Sequence, residues 1–205
     1  MAEERYNPIS VGGYNLYHVV SAFQKYVRRG MEHEAMYFGT ELLLSNWHKY
    51  AWYRIKVMAS EDIGLADNNV CVQVDALNRT FNEFLNDKRT GAAQMVFCHA
   101  ILIITRAKKS RIVDNLYCKH VDLRKFIHKP EIHDFCFDQF TDVGKRKKRG
   151  NDFFFDVSGK LENIPDDLLE EENRIKEEVQ MMYQVKDSGG KIIVNDPNKN
   201  LFENE

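Results

Sequence analysis

The chain has 205 residues, of which 43% are hydrophobic and 29% charged, with a formal net charge of −2 at pH 7. That length can bury a sizeable core, and we expect one compact domain with a tail. No run approaches the roughly eighteen apolar residues of a membrane span, and the acidic N-terminus lacks the basic-then-apolar order of a signal peptide. We therefore expect no membrane partner and a cytoplasmic, nucleoid-associated location.

The charges are unevenly placed along the chain. Residues 161–205 carry 12 acidic and 5 basic side chains, whereas the remainder carries 19 acidic and 24 basic ones. A basic body with an acidic tail is compatible with a protein that faces nucleic acid and whose tail modulates access. A solvated helix face explains the tail equally well.

Five segments of the first half have apolar residues at helical spacing. They cover residues 14–29, 32–46, 47–59, 69–87 and 92–108. The first three are expected to pack as antiparallel neighbours joined by short loops. The fifth is apolar nearly all round, which predicts the central helix of a bundle, although residues 101–105 alone would also suit a buried strand.

The pattern changes in the second half of the chain. A short sixth helix is predicted from Ser110 to Lys119, and residues 126–159 are irregular, aromatic and charged. Pro165 opens an acidic helix that is predicted to run to about Tyr183. Residues 183–185 and 191–194 flank a turn-like Asp-Ser-Gly-Gly and predict a small hairpin.

The predicted fold is therefore an all-α bundle of five to six helices, followed by an irregular basic and aromatic segment, an acidic C-terminal helix and a small hairpin. We divide the chain into a helical domain over residues 1–120, an extension over 121–160 and an acidic tail region over 161–205. The widely spaced cysteines lie among apolar neighbours, which predicts buried free thiols and neither a metal site nor a disulfide framework. They are Cys71, Cys98, Cys118 and Cys136.

Ala59–Asp67 reads ASEDIGLAD, with Arg54 upstream, and follows an amphipathic run. This stretch resembles the signature of the C-terminal helical domain of the RarA/MgsA family, AAA+ ATPases related to clamp loaders that act at stalled replication forks. Similarity extends to residues 14–23, 34–38 and 107–110, although Lys108 and Arg111 replace the family's proline and asparagine. The motif residues we single out are Arg54, Ser60, Glu61, Asp62 and Gly64.

The resemblance implies an oligomerisation domain without its motor. That domain holds such ATPases together as tetramers, so we expect a homo-oligomer whose further partners are DNA, single-stranded or forked, and a replication protein or a full-length AAA+ ATPase. No G-x-x-x-x-G-K-[ST] sequence is present to cradle ATP phosphates. We expect a non-catalytic accessory protein of DNA replication or repair, with no cofactor. A viral or mobile-element origin fits a motorless copy and would place it in a host cell.

Glu61 and Asp62 are adjacent carboxylates at a predicted helix junction. Such a pair can share a proton or bind a cation. At a junction it more often accepts hydrogen bonds from the amides that open the next helix, or pairs with a buried arginine such as Arg54. We expect this structural role.

Five consecutive cations form the main candidate for ligand binding. They are Lys145, Arg146, Lys147, Lys148 and Arg149. On a flexible loop between Gly144 and Gly150, each could meet a phosphate while nearby phenylalanines stack on unpaired bases. A solvated loop and a nuclear-import signal are the alternatives. The surrounding pattern Asp138-x-x-Thr141-x-x-Gly144 is similar to an element of short, motorless relatives of the family, with Phe140 in place of a histidine.

Two other function classes stay open. One is a pure protein-interaction or inhibitory module without nucleic-acid binding. The other is a metal-dependent nuclease, since imidazole and carboxylate are usual zinc or manganese ligands, although their spacing here fits no standard pattern. Its ligands would come from His128, Glu131, His133, Asp134 and Asp138, with Glu61 and Asp62 as further candidates. In the structural interpretation these residues cap helices and pair with adjacent cations.

Overall fold

The computed structural model describes residues 8–189, and the chain folds as an all-α helical bundle, as predicted. Between these residues there is no strand, and an isolated bridge joins Ile9 to Asn15. No helix of this part of the chain has the combination of length and apolar character that spanning a membrane requires.

Six helices form the N-terminal half. They are α1 (Leu16–Arg28), α2 (Glu32–Leu44), α3 (His48–Met58), α4 (Val70–Asn86), α5 (Thr90–Arg106) and α6 (Ile112–Tyr117). The Asn15 side chain caps α1 by accepting hydrogen bonds from the backbone amides of Tyr17 and His18, at 2.8 and 3.3 Å. Gly30, at φ 68°, follows the end of this helix and lets the chain turn toward α2.

Helix α5 is the centre of the bundle, because it packs against α1, α2, α3 and α4. Its predicted central position is confirmed, and residues 101–105 are helical rather than a strand. Fully buried side chains include Phe23, Phe81 and Phe97. Trp52 of α3 packs edge-on against Phe81 and Phe97, with ring centroids 5.4 and 5.5 Å apart.

The third predicted helix does not simply stop near Ser60. It continues into a π-helical turn, Ala59–Ile63, which leads into a 3-10 turn, Gly64–Ala66. The sixth helix is also shorter than predicted, because the chain changes to a π turn at Cys118–Asp122 and a 3-10 turn at Arg124–Phe126.

The chain divides after His128 into two compact units. The boundary predicted at residue 120 falls in the N-terminal unit, and that at 160 in the C-terminal unit. The C-terminal unit contains α7 (Asp142–Arg146), α8 (Asn151–Phe153), α9 (Asp166–Asp187) and short turns at Asp134–Cys136 and Phe154–Ser158. Helix α9 packs on the segment after α8, where Gln180 donates a 2.9 Å hydrogen bond to Asp156 and the rings of Phe155 and Tyr183 lie 5.7 Å apart.

Two predictions need correction. Residues 183–185 are helical because α9 runs on to Asp187, so the first strand of the predicted hairpin is wrong, and residues 191–194 lie outside the described part of the chain. The four cysteines are free, as predicted, but they are not buried: Cys71 and Cys136 are exposed and the other two half-buried. Val70, the residue before Cys71 on α4, is buried. Because adjacent residues of a helix point about 100° apart, Cys71 is turned away from the core.

Candidate functional site

The acidic pair of the ASEDIGLAD stretch lies in the π-helical turn that follows α3. Asp62 is only 1% exposed, whereas Glu61 is half-buried. Single π turns are often found at functional sites. Here the turn brings two carboxylates into the protein next to α1 and the chain that follows α5.

Two arginines hold both carboxylates. The Asp62 Oδ1 atom accepts hydrogen bonds from Arg28 Nε at 2.6 Å and from Arg111 Nη1 at 2.8 Å. Glu61 Oε1 pairs with the Nη2 atoms of the same two residues, at 3.2 Å for Arg111. We call Gln24, Arg28, Glu61, Asp62 and Arg111 the ionic cluster. Its two guanidinium groups pair with both carboxylates, while Arg111 also pairs with Asp114 and the second oxygen of Asp62, Oδ2, is buried without a hydrogen-bond partner among the described residues.

Arg54 is not the partner that the sequence predicted for the acidic pair. It donates to Gln24 Oε1 instead, and Gln24 Nε2 donates to Glu61 Oε2 at 3.2 Å. Nor does any backbone amide between residues 8 and 189 donate to the two carboxylates. The π-helical turn at residues 59–63 directs the two carboxylates away from Arg54 of α3. They meet Arg28 and Arg111 instead, which belong to elements distant in sequence.

The cluster also joins two stretches on which the family resemblance rests. The backbone carbonyl of Asp62 accepts a 2.9 Å hydrogen bond from the amide of Ser110. Next to it, Lys109 Nζ donates to the carbonyls of Ile104 and Thr105 in the last turn of α5, and to that of Ala107 just after the helix. Burial lowers the pKa of Lys109, and the nearby Asp62 carboxylate opposes this effect.

The other two motif residues shape the turn itself. Gly64 has φ 48°, which favours glycine, and a Cβ there would lie 2.9 Å from Val113 Cγ2 of α6. Ser60 Oγ lies 3.8 Å from Cys71 Sγ. These contacts are structural, since Gly64 places the turn against α6 and Ser60 places it against α4.

The five-cation run forms the end of α7 and the turn after it, and we call residues 145–149 the basic turn. Thr141 caps α7: its hydroxyl accepts from the Gly144 amide at 3.0 Å and donates to the Asp138 carbonyl at 2.9 Å. A Cβ at Gly144 would overlap that carbonyl oxygen. The Asp138-x-x-Thr141-x-x-Gly144 pattern is therefore a helix-capping structure.

The basic turn is anchored rather than free. Arg149 is only 10% exposed, pairs with the Asp134 carboxylate and donates to the carbonyls of Asp134 and Phe137 at 2.8 and 2.6 Å. Its guanidinium also stacks 3.8 Å from the Phe153 ring centre. Lys147 pairs with Asp134 as well. Our expectation of five cations that each reach a phosphate was therefore wrong for Arg149, which holds the turn in place.

The remaining cations face solvent. Arg146 is 73% exposed and makes an open ion pair with Asp142 at 3.2 Å. Lys145 and Lys148 are exposed, and their side chains make no hydrogen bond or ion pair within the described residues. These three side chains are the part of the predicted site that can meet a ligand.

The anchor of the turn depends on the charge of Asp134. Hydrogen bonds from Lys147 and then Arg149 hold the pKa of this carboxyl below its ordinary value. A carboxyl group whose pKa is lower in the folded than in the unfolded state stabilises the folded state when the pH is above its unfolded-state pKa. This stabilisation is lost as the pH falls through the folded-state pKa. The ion pairs with Asp134 are therefore formed at neutral pH and weaken in acid, whereas the bonds of Arg149 to the carbonyls of Asp134 and Phe137 do not depend on this charge.

The predicted metal ligands are not assembled into a site. Among the described residues there is no group of three or more His, Cys, Asp or Glu side chains placed to hold a metal ion. Asp134 pairs with cations, as the structural interpretation expected, and His133 stacks on Phe135, with ring centroids 5.6 Å apart.

Sequence reasoning missed Arg28, Arg111 and Gln24 as members of the ionic cluster. Arg28 and Arg111 lie 34 and 49 residues from Asp62 along the chain. The one sequence feature that could have indicated this partner is the arginine at position 111, where the family that the chain resembles has asparagine. No family model matches the chain, and no curated protein matches it either.

Proposed function

We propose that this chain is a non-catalytic accessory protein of DNA replication or repair that binds nucleic acid through the basic turn. One observation carries the proposal: Arg149 and Lys147 anchor the turn on Asp134, while Lys145, Arg146 and Lys148 remain exposed beside them. Because the anchor fixes the backbone that carries the exposed cations, that backbone loses little conformational freedom when they meet phosphates. Their attraction for a phosphate backbone would be independent of base sequence and sensitive to salt.

Replacing both Lys145 and Lys148 with alanine is expected to weaken nucleic-acid binding about tenfold at moderate salt. The slope of log K against log salt concentration should fall by about 1.5, because two phosphate contacts are lost. Fluorescence anisotropy of a labelled oligonucleotide, titrated at several salt concentrations, measures both quantities.

The matched control replaces Lys129 and Lys160, which are exposed cations of the same unit outside the turn. It removes the same charge and should leave the slope nearly unchanged. Equal weakening by the two double variants would contradict a role for the turn, because it would mean that net charge alone determines binding.

We also propose self-association, with a tetramer as the expected state and a full-length AAA+ ATPase or a replication protein as a further partner. The hydrogen bond between the Ala59–Asp67 stretch and Ser110 supports the family resemblance that implies this self-association. A second observation supports a protein partner. Residues 112–126, which we call the apolar segment, have no buried side chain and expose many large apolar ones. These are Ile112, Val113, Leu116, Tyr117, Val121, Leu123 and Phe126.

The Leu116→Ser, Phe126→Ser double variant is expected to convert the oligomer to a smaller species. Both side chains are exposed, at 48% and 74%, so the change should leave the circular dichroism spectrum and melting temperature nearly unaltered. Light scattering coupled to size-exclusion chromatography measures the mass. Val72→Ser with Met95→Ser, exposed on α4 and α5, is the control and should keep the wild-type mass.

A wild-type monomer would contradict self-association. A chain that captures a protein partner but binds no nucleic acid at physiological salt would favour the second candidate, a pure protein-interaction or inhibitory module, which the apolar segment also suits. No observation favours the nuclease alternative, whose ligand set is not assembled.

A further inference from the structure

Several aromatic rings of the C-terminal unit face solvent beside the basic turn. Phe140 is 73% exposed and Phe135 is 51% exposed. His133 and Phe135 stack with an angle of 18° between their planes. Exposed apolar rings that cluster beside a charged surface point to a site where a ligand or partner binds.

These rings are attached to the residues that anchor the basic turn. Asp134 lies between His133 and Phe135, and its carboxylate holds Lys147 and Arg149. The carbonyl of Phe135 accepts a 2.6 Å hydrogen bond from Ser158 Oγ. The backbone between and after the two rings is therefore held in place, and Asp134 links it to Lys147 and Arg149.

Phe140 is fixed by the same capping structure that shapes α7. Its backbone amide donates a 3.0 Å hydrogen bond to Asp138 Oδ1, and the Asp138 carbonyl is the group that Gly144 contacts. Its ring packs edge-on against Phe154, with centroids 6.3 Å apart. One side of the ring is thus supported, while most of its surface is open.

We propose that the basic turn binds single-stranded nucleic acid, and that the His133–Phe135 ring pair and Phe140 stack on its unpaired bases. This inference rests on the proposed nucleic-acid binding. Exposed cations attract the phosphates of any nucleic acid, whereas a ring can stack only on a base face that is not already stacked in a duplex. The rings therefore select single strands, and every base offers a face, so the selection is independent of sequence.

The test measures binding of the full chain to labelled 20-nucleotide single-stranded DNA, to single-stranded RNA of the same sequence, and to the DNA duplex. Phe135→Ala and Phe140→Ala are each expected to weaken binding to single strands about tenfold, the loss of one base stack, and to leave duplex binding unchanged. Phe140→Tyr keeps an aromatic ring and should bind single strands as the wild type does. Ile132→Ala is the matched control, since Ile132 is a 67% exposed neighbour with no aromatic face.

The outcomes separate this inference from the proposed function. Loss confined to single strands supports it, and the DNA and RNA arms then identify which strand the site prefers. A second result is that the Lys145 and Lys148 double variant weakens binding while the ring variants have no effect, or while they weaken duplex and single-strand binding equally. In either case the stacking inference fails and the proposed nucleic-acid binding stands. If the wild type binds none of the three probes, both proposals fail. Phe140→Ala loses a contact with Phe154, so its circular dichroism spectrum and melting temperature are measured to show that the variant is folded. If the variant is unfolded, the result for Phe135→Ala decides the test.

Discussion

Replacing Asp62 with alanine is expected to lower the free energy of unfolding of the N-terminal unit by about 3 kcal/mol, and its melting temperature by about 10 °C. Asp62 is buried and accepts hydrogen bonds from Arg28 and Arg111, so its removal leaves the two guanidinium groups with the half-buried Glu61 as their remaining shared partner. The expected cost lies at the lower end for a broken buried ion pair, because the arginine side chains are 26% and 42% exposed and can be hydrated.

Tryptophan fluorescence measures this effect selectively. Both tryptophans, Trp47 and Trp52, lie in the N-terminal unit, so urea unfolding followed by their emission reports on that unit. The control is Asp75→Ala, which removes a carboxylate that is 58% exposed and forms only surface pairs with Lys56 and Arg79. It should change stability by less than about 1 kcal/mol. Similar losses for the two variants would show that burial does not distinguish the ionic cluster.

Replacing Gly144 with alanine is expected to disrupt the basic turn and to destabilise the C-terminal unit by at least about 3 kcal/mol. The added Cβ would overlap the carbonyl oxygen of Asp138 and lie 2.8 Å from that of Phe137. These atoms are backbone, so a rotamer change cannot relieve the collision. The Thr141 cap and the Asp134 anchor should be lost together, because both depend on this close approach.

Limited digestion with trypsin measures the change, since trypsin cleaves after lysine and arginine and the basic turn holds five such residues. An anchored turn should resist cleavage, and the Gly144→Ala turn should be cut much faster. Gly150→Ala is the control at the other end of the turn, where a Cβ would meet nothing within 4 Å. Equal cleavage rates for the two variants would argue against the close packing at Gly144.

The helices were predictable because their apolar residues repeat at helical spacing. The central position of α5, for example, follows from a segment that is apolar nearly all round. The hairpin prediction was wrong because local turn chemistry at residues 187–190 does not show how far the preceding helix persists, and α9 continues through residues 183–185.

The candidate site was harder to predict because its partners are distant in sequence. A run of five cations suggests five phosphate ligands, and nothing local shows that Arg149 is held by Asp134, fifteen residues earlier. Likewise, Arg54 is the nearest arginine to the acidic pair along the chain, but the π turn directs Glu61 and Asp62 to Arg28 and Arg111. Composition indicates that charges must be paired, and only the tertiary fold decides with which partner.

The ionic cluster has a consequence for the kinetics of folding. Arg28 and Arg111 enclose the acidic pair between them in sequence, and the pairs with Arg111 need α5 to have docked and brought this residue back to α1. Loop-closure entropy makes such long-range contacts late events. Interactions absent from the transition state slow unfolding without speeding folding. We therefore expect the cluster to lower the unfolding rate of the native bundle far more than it raises the folding rate.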